Sequence, residues 1–246
     1  MGVLARFSVP KSPDYVNEDR FALSDRVGRY ALSDGASVSF DSASWARIIS
    51  VRYVQEPRIT DAWLAEAIRA YEVKYDRDAL PWTTQGAYDR GSFASLVGVL
   101  WGRGEVHVEV FAVGDTVAVL CDGFRIVGTF PYVRSQQFSD PPELISTQPQ
   151  RNVFLQEAEF PASRGVRWCV SDLVEPRVLC MTDALGQWFM SRHEAGEEPA
   201  AVVLGIENRH TFRAFVKRER AAGHMRRDDT TLIVLGTGDG YVSPDC

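Results

Sequence analysis

Cysteine and histidine are both scarce in this chain, with four of each among 246 residues. Cys121, Cys169, Cys180 and Cys246 stand far apart, without the paired spacing of a zinc site or the density of a secreted disulfide scaffold, so they read as reduced thiols. A cysteine nucleophile acting on phosphate needs an arginine about six residues further on, and Val127, Glu175 and Gly186 fill those places. His107, His193, His210 and His224 are scattered, no His-Glu-x-x-His pair offers a zinc helix, and all four read as ordinary surface or core residues. Positive charge is not in excess. The formal net charge of −6 argues against nucleic acid or an anionic membrane as the main partner. The opening Met-Gly-Val-Leu-Ala-Arg-Phe lacks the basic flank and apolar core of a signal peptide, and no apolar run reaches the roughly 20 residues of a membrane span. A cytoplasmic location is the expectation.

What is present suits a single domain over 1–246. Hydrophobic residues make up 45% of the chain, enough for a full core, and no composition break, repeat or low-complexity tract divides it. Residues 2–9, 20–25 and 29–33 have the alternation of short strands. Ser42 to Val54 reads as a helix, and a second follows Thr60, a cap, with Trp63, Leu64, Ala67, Ile68, Tyr71 and Tyr75 forming one apolar stripe. From Ser92 the period becomes that of strands. Ser92 to Trp101, Glu105 to Val113, Thr116 to Cys121 and Phe124 to Phe130, joined by Gly-Arg-Gly, Gly-Asp and Asp-Gly turns, suit a meander of antiparallel hairpins. Residues 131–161, rich in Pro, Ser and Gln, read as an irregular flap. A strand over 176–181, helices over 184–193, 199–206 and 209–221, and a strand over 229–236 complete the reading.

Four acidic islands carry the chemistry: Asn17-Glu18-Asp19, Ser33-Asp34-Gly35, Thr182-Asp183-Ala184 and Arg227-Asp228-Asp229-Thr230-Thr231. Each adjoins a strand-like run, and carboxylates at strand ends converge on one rim of a sheet. Such a cluster repels itself unless hard cations sit between its members, and all-oxygen ligation suits Mg²⁺ or Mn²⁺ rather than zinc. The chain therefore reads as a metal-dependent hydrolase. Taken singly, each Asp-Gly or Gly-Asp is also what an ordinary hairpin turn uses.

The islands and their order resemble the metal-dependent protein phosphatases, the type 2C serine/threonine family, with this chain as a divergent bacterial-type member. Asn17-Glu18-Asp19 and Ser33-Asp34-Gly35 match the family's Asn/Met-Glu-Asp and Ala-Asp-Gly. Gly91-Ser92-Phe93-Ala94 is similar to Gly-Ser-Thr-Ala, and Val113-Gly114-Asp115-Thr116-Val117-Ala118-Val119-Leu120 to Val-Gly-Asp-Ser-Arg-Ala-Val-Leu. Thr182-Asp183-Ala184-Leu185 resembles Ser-Asp-Gly-Leu, and Asp228-Asp229-Thr230-Thr231-Leu232-Ile233-Val234 resembles the closing Asp-Asn-x-Thr-x-Ile-Val.

The resemblance implies an α+β fold, a four-layer αββα sandwich of two antiparallel β-sheets flanked by helices, with the active site at one edge. It implies that Asp19, Asp34, Asp183 and Asp228, with the carbonyl of Gly35, hold two Mn²⁺ or Mg²⁺ ions bridged by a water that attacks phosphorus. Asp115, with Asp183, would hold a weaker third metal, and Glu18 would act through water. Asp229 stands where the family has Asn, and it reads as a carboxylate that assists, acts from behind the metal ligands as Glu18 would, or is simply solvated. The implied substrate is a phosphoserine or phosphothreonine protein, acted on by a monomer. Two departures stand out. Ala36-Ser37-Val38-Ser39-Phe40 replaces Met-Gly-Gly, and Asp14 and Tyr15 occupy the neighbourhood of the family's phosphate-gripping Arg, leaving Lys11 as the nearest candidate for phosphate binding, with Arg6 and Arg134 behind it. The basic run from Arg209 to Arg227 reads as a solvated face. A catalytically idle binding module and a hydrolase of small phosphoesters are the alternatives.

Overall fold

The computed structural model describes residues 2–237; Cys246 lies outside them. Strands β1 (Gly2–Val9), β2 (Arg20–Ser24) and β3 (Arg29–Ser33) lead into helices α1 (Ser42–Gln55), α2 (Asp61–Glu72) and α3 (Trp82–Arg90). Next come β4 (Phe93–Ala94), β5 (Leu96–Leu100), β6 (His107–Val113), β7 (Val117–Asp122), β8 (Arg125–Phe130), β9 (Ile145–Ser146), β10 (Gly165–Cys169) and β11 (Pro176–Met181). Helices α4 (Asp183–Glu194), α5 (Pro199–Leu204) and α6 (Arg209–Ala221) precede the last strand, β12 (Thr230–Gly236).

Two antiparallel five-stranded sheets result, in the orders β1-β12-β11-β7-β8 and β10-β6-β5-β3-β2. The period of two along each strand decides what lies between them. On β12, Ile233 and Leu235 face the second sheet, where they meet Tyr30, Leu32, Val97 and Val99. Leu232 and Val234 point the other way, into a core shared with Leu185, Phe189, Phe212 and Val216 of α4 and α6. The outer face of the second sheet is covered in turn by Trp45, Ile49, Trp63 and Ile68 of α1 and α2. The architecture is therefore the αββα sandwich. Thr60 caps α2 as expected, its hydroxyl accepting from the Trp63 N–H at 3.1 Å.

Two expectations need correction. The strands from Ser92 do not form one meander: β6 pairs with β5 in one sheet while β7 pairs with β8 and β11 in the other. The chain crosses between sheets at Gly114-Asp115-Thr116. Gly114 sits at φ 96°, and a Cβ there would stand 2.6 Å from the Ser95 side chain, so the crossing is built for glycine. The expected single strand 92–101 is split, because Ser95 turns its N–H to the Asp34 carbonyl at 2.9 Å. Residues 131–161 run as irregular chain and short turns, pinned to the cores. Phe138 enters the core beneath α4, Ile145 and Phe154 enter the core beneath α1 and α2, and the Trp45 indole donates to the Ile145 carbonyl at 2.8 Å. Three elements escaped sequence reading: α3, which buries no residue, the two-residue β9, and β10, a five-residue edge strand. Cys121, Cys169 and Cys180 are free thiols. Among the described residues no helix is long and apolar enough to cross a membrane.

Candidate active site

Pairing register brings the acidic islands together. In the first sheet Val9 pairs with Thr230, Leu232 with Met181, and Met181 with Val117, so Asp228 and Asp229 before β12, Asp183 after β11 and Asp115 before β7 hang from one edge. In the second sheet Arg20 pairs with Ser33, which sets Asp19 beside Asp34 at the corresponding edge. Hydrogen bonds fix the Asp34 loop to the crossing strand: Ser33 Oγ donates to the Ser95 carbonyl at 2.6 Å, and the Asp34 N–H reaches Ser95 Oγ at 3.3 Å. Gly35 forms an isolated antiparallel bridge with Ala94, and a Cβ on it would lie 2.9 Å from the backbone of Ser42 at the start of α1.

Asp19 is buried, at 4% exposure. Its Oδ2 accepts from the Thr231 hydroxyl at 2.6 Å and the Thr182 hydroxyl at 3.1 Å, while its Oδ1 is buried without a partner. Burial, reinforced by the charges of Asp229 and Asp228 and opposed by the two hydroxyls, pushes its pKa up to about 7. Asp34 is raised well above the ordinary carboxylate range by burial and by Asp19, Asp115, Asp228 and Asp229. Burial likewise raises Asp115 and Asp229. A set of carboxylates in this state lacks positive charge.

Around them lies a brace that the sequence did not disclose. Asp229, expected to be solvated or assisting, is 2% exposed and accepts the backbone N–H groups of Lys11 at 2.6 Å and Glu18 at 2.5 Å. Glu18 is held below the usual range despite burial, because Lys11, Ser37 and Ser42 all donate to it. The Lys11 ammonium is 2.7 Å from Glu18 Oε2 and 2.6 Å from Ser37 Oγ. Two arginines of the basic run turn inward instead of facing solvent. Arg220 donates to the Pro10 carbonyl at 3.1 Å and Thr230 Oγ1 at 2.8 Å, and also reaches the Asp228 carbonyl. Arg226 pairs with Asp183. For Arg220 a signal existed: it lies four residues after the buried Val216 and eight after the buried Phe212. Arg134 is excluded from the site. It is exposed, and its neighbour Ser135 binds Glu194 at the far end of α4, about 16 Å along the helix from Asp183 at 1.5 Å per residue.

The fold matches solved structures of phosphatases along nearly its whole length. A bacterial serine phosphatase superposes with TM-score 0.57 at 14% identity, covering 96% of this chain and 98% of its own. The serine/threonine phosphatase PstP/Ppp of Mycobacterium tuberculosis gives 0.54 at 14% identity, covering 94% and 96%. The chain has the fold of the bacterial serine/threonine phosphatases. PppA, a regulatory component of the type VI secretion system in Pseudomonas aeruginosa, is similar to this phosphatase-fold chain with TM-score 0.54 at 16% identity, covering 95% and 96%. No family model and no curated protein matches the sequence.

In this phosphatase fold the donor set suits a hard divalent cation on one side and not on the other. Asp19, Asp34 and Asp228 offer only carboxylate oxygens, one of them buried and unpartnered, in a cluster with surplus negative charge. Asp183 differs. Its Oδ1 accepts from the Ala184 N–H and its Oδ2 meets Arg226. Among the described residues no three acidic, histidine or cysteine side chains are gathered about one point at ligating distance.

Proposed function

We propose that the chain is a metal-dependent serine/threonine phosphoprotein phosphatase, acting as one domain over 1–246, as a monomer in the cytoplasm. The observation that carries the reading is the buried, unpartnered Asp19 Oδ1 at a rim where Asp34, Asp228 and Asp229 also converge, on a fold shared with bacterial serine/threonine phosphatases. Asp19, Asp34 and Asp228, with the Gly35 carbonyl, would hold two Mn²⁺ or Mg²⁺ ions, joined by Asp183 through Oδ1 while its Oδ2 stays on Arg226. Ions held there supply Lewis-acid activation of water and of the phosphate oxygens.

The chain's own groups divide the remaining work. Thr182 and Thr231 fix the orientation of Asp19 through Oδ2, leaving Oδ1 buried and free to accept a cation. Asp229 ties the Lys11–Glu18 strand entry to the start of β12, so that Asp19 and Asp228 keep their separation. Arg220 clamps the Asp228 loop from behind. Lys11 lines a cleft of about 460 Å³ with Tyr15, Glu18, Ser37 and Ser42, and would supply the ammonium that attracts phosphate while Glu18 orients it.

The test is turnover of an aryl phosphate and of phosphoserine, phosphothreonine and phosphotyrosine peptides by chelated protein, before and after addition of Mn²⁺ or Mg²⁺. Metal-restored hydrolysis of the phosphoserine and phosphothreonine peptides is expected. Absence of turnover with every metal would leave the binding-module alternative, and hydrolysis confined to the aryl phosphate would favour a small-phosphoester hydrolase.

A further inference from the structure

Arg226 stands where the resemblance places a weak third cation. That ion would lie between Asp115 and Asp183, yet in the structure the guanidinium of Arg226 meets Asp183 Oδ2 and its charge also acts on Asp115. The other oxygen of Asp183 accepts from the Ala184 N–H, so neither oxygen of this carboxylate is idle. Arg226 arrives there by construction. Met225, one residue earlier, is buried in the core beneath α4 and α6, and the Asp228 N–H donates to the Arg226 carbonyl at 3.2 Å. The loop that delivers Asp228 thus delivers Arg226, with Arg220 fastening its far end. The Arg226 Nε and one terminal guanidinium nitrogen are buried without a hydrogen-bond acceptor, so what holds the side chain is charge, the ion pair with Asp183 and the pull of Asp115.

We infer that Arg226 is a tethered cation that takes the place of a third divalent ion between Asp115 and Asp183, so that this chain binds no ion there. A guanidinium fixed by its own loop acts at an effective concentration in the millimolar range or above, comparable with the concentrations at which a weak hard-cation site fills. Its single charge and planar fork satisfy a carboxylate without demanding the further oxygen ligands that Mn²⁺ or Mg²⁺ would need. Asp115 then serves as a counter-charge that keeps Arg226 at the rim, a positioning residue rather than a metal ligand.

The inference rests on the proposed metal pair, and counting bound ions separates the two. Mn²⁺ bound per chain is measured by equilibrium dialysis with elemental analysis, and by the loss of the free-ion spin-resonance signal, for the wild type, Asp115→Asn, Arg226→Met, Arg226→Lys and Arg226→Met/Asp115→Asn. The wild-type count tests the pair: two ions support it and none removes it. The difference between wild type and Arg226→Met tests Arg226. A gain of one ion per chain, absent in Arg226→Lys and lost again in the double variant, is the expected result. An unchanged count in a folded Arg226→Met, or three ions on the wild type with Asp115→Asn removing one, would overturn the assignment. Should Arg226→Met fail to fold, the wild-type and Asp115→Asn counts still decide, since the inference requires them to be equal.

Discussion

Replacing Asp19 by Asn should stabilise the metal-free protein while disabling its response to metal. In the structure Asp19 is buried among other carboxylates with one oxygen unpartnered, and its pKa is pushed up to about 7 from an ordinary 3.8. The folded state therefore binds a proton more tightly than the unfolded chain. Between about pH 4 and pH 7 stability falls as pH rises, and above pH 7 the penalty is complete. A gap of about three pH units at about 1.4 kcal/mol each makes that penalty about 4 kcal/mol for the charged side chain. Asn removes it: its carbonyl can keep accepting from Thr231 and Thr182, and its uncharged amide replaces the unpartnered Oδ1. In a chain of this size about 4 kcal/mol corresponds to a rise in Tm of about 10 °C. The assay is denaturant unfolding of wild type and Asp19→Asn in chelator from pH 5 to pH 8, repeated with saturating Mn²⁺. The variant should lead at pH 8, by a margin that shrinks by about 1.4 kcal/mol for each pH unit below 7, and Mn²⁺ should reverse the order by stabilising only the wild type. A margin independent of pH, or a variant less stable than wild type at pH 8 without metal, would refute the reasoning.

The other expectations are briefer. Asp34→Asn should lower kcat by orders of magnitude with no loss of metal-free stability, because the substitution removes one charge from a mutually repelling set; kinetics beside thermal unfolding checks both halves. Hydrolysis should vanish on chelation, return with Mn²⁺ and return less well with Zn²⁺, whose preference is for nitrogen and sulfur; full turnover in excess chelator would count against the metal centre. Lys11→Ala should weaken inhibition by inorganic phosphate and raise KM by several-fold, with Arg6→Ala inert in the same assay. Gly114→Ala should destabilise by more than about 1 kcal/mol, since its positive φ and its approach to Ser95 both oppose a side chain; an unaltered denaturation midpoint would argue against the crossing as described.

The convergence of the candidate carboxylates was legible because each is locally encoded. Asp19, Asp34, Asp183 and Asp228 each sit at the end of a strand whose period announces it, and pairing register does the rest. What holds Asp229 was not legible: a carboxylate beside another carboxylate looks solvated until the backbone N–H groups of Lys11 and Glu18, more than 200 positions away, are seen to converge on it. The crossing at Gly114 was read as a hairpin because a Gly-Asp turn has the same composition whether it joins strands of one sheet or of two. Residues 131–161 looked like a flap because single aromatics such as Phe138 and Phe154 carry no period, although each fills a core.

By itself the sequence determined the strands and helices with strong apolar period, the carboxylates at their ends and hence the demand for positive charge at one rim. Only the tertiary structure decided which cation answers each carboxylate. Lys11 goes to Glu18 and Arg226 to Asp183, whereas Asp19 keeps an oxygen with no partner. Period and propensity act over a few residues, but a charge pair is settled by distance in space, and here the partners are brought together by sheet register and by loops pinned to separate cores.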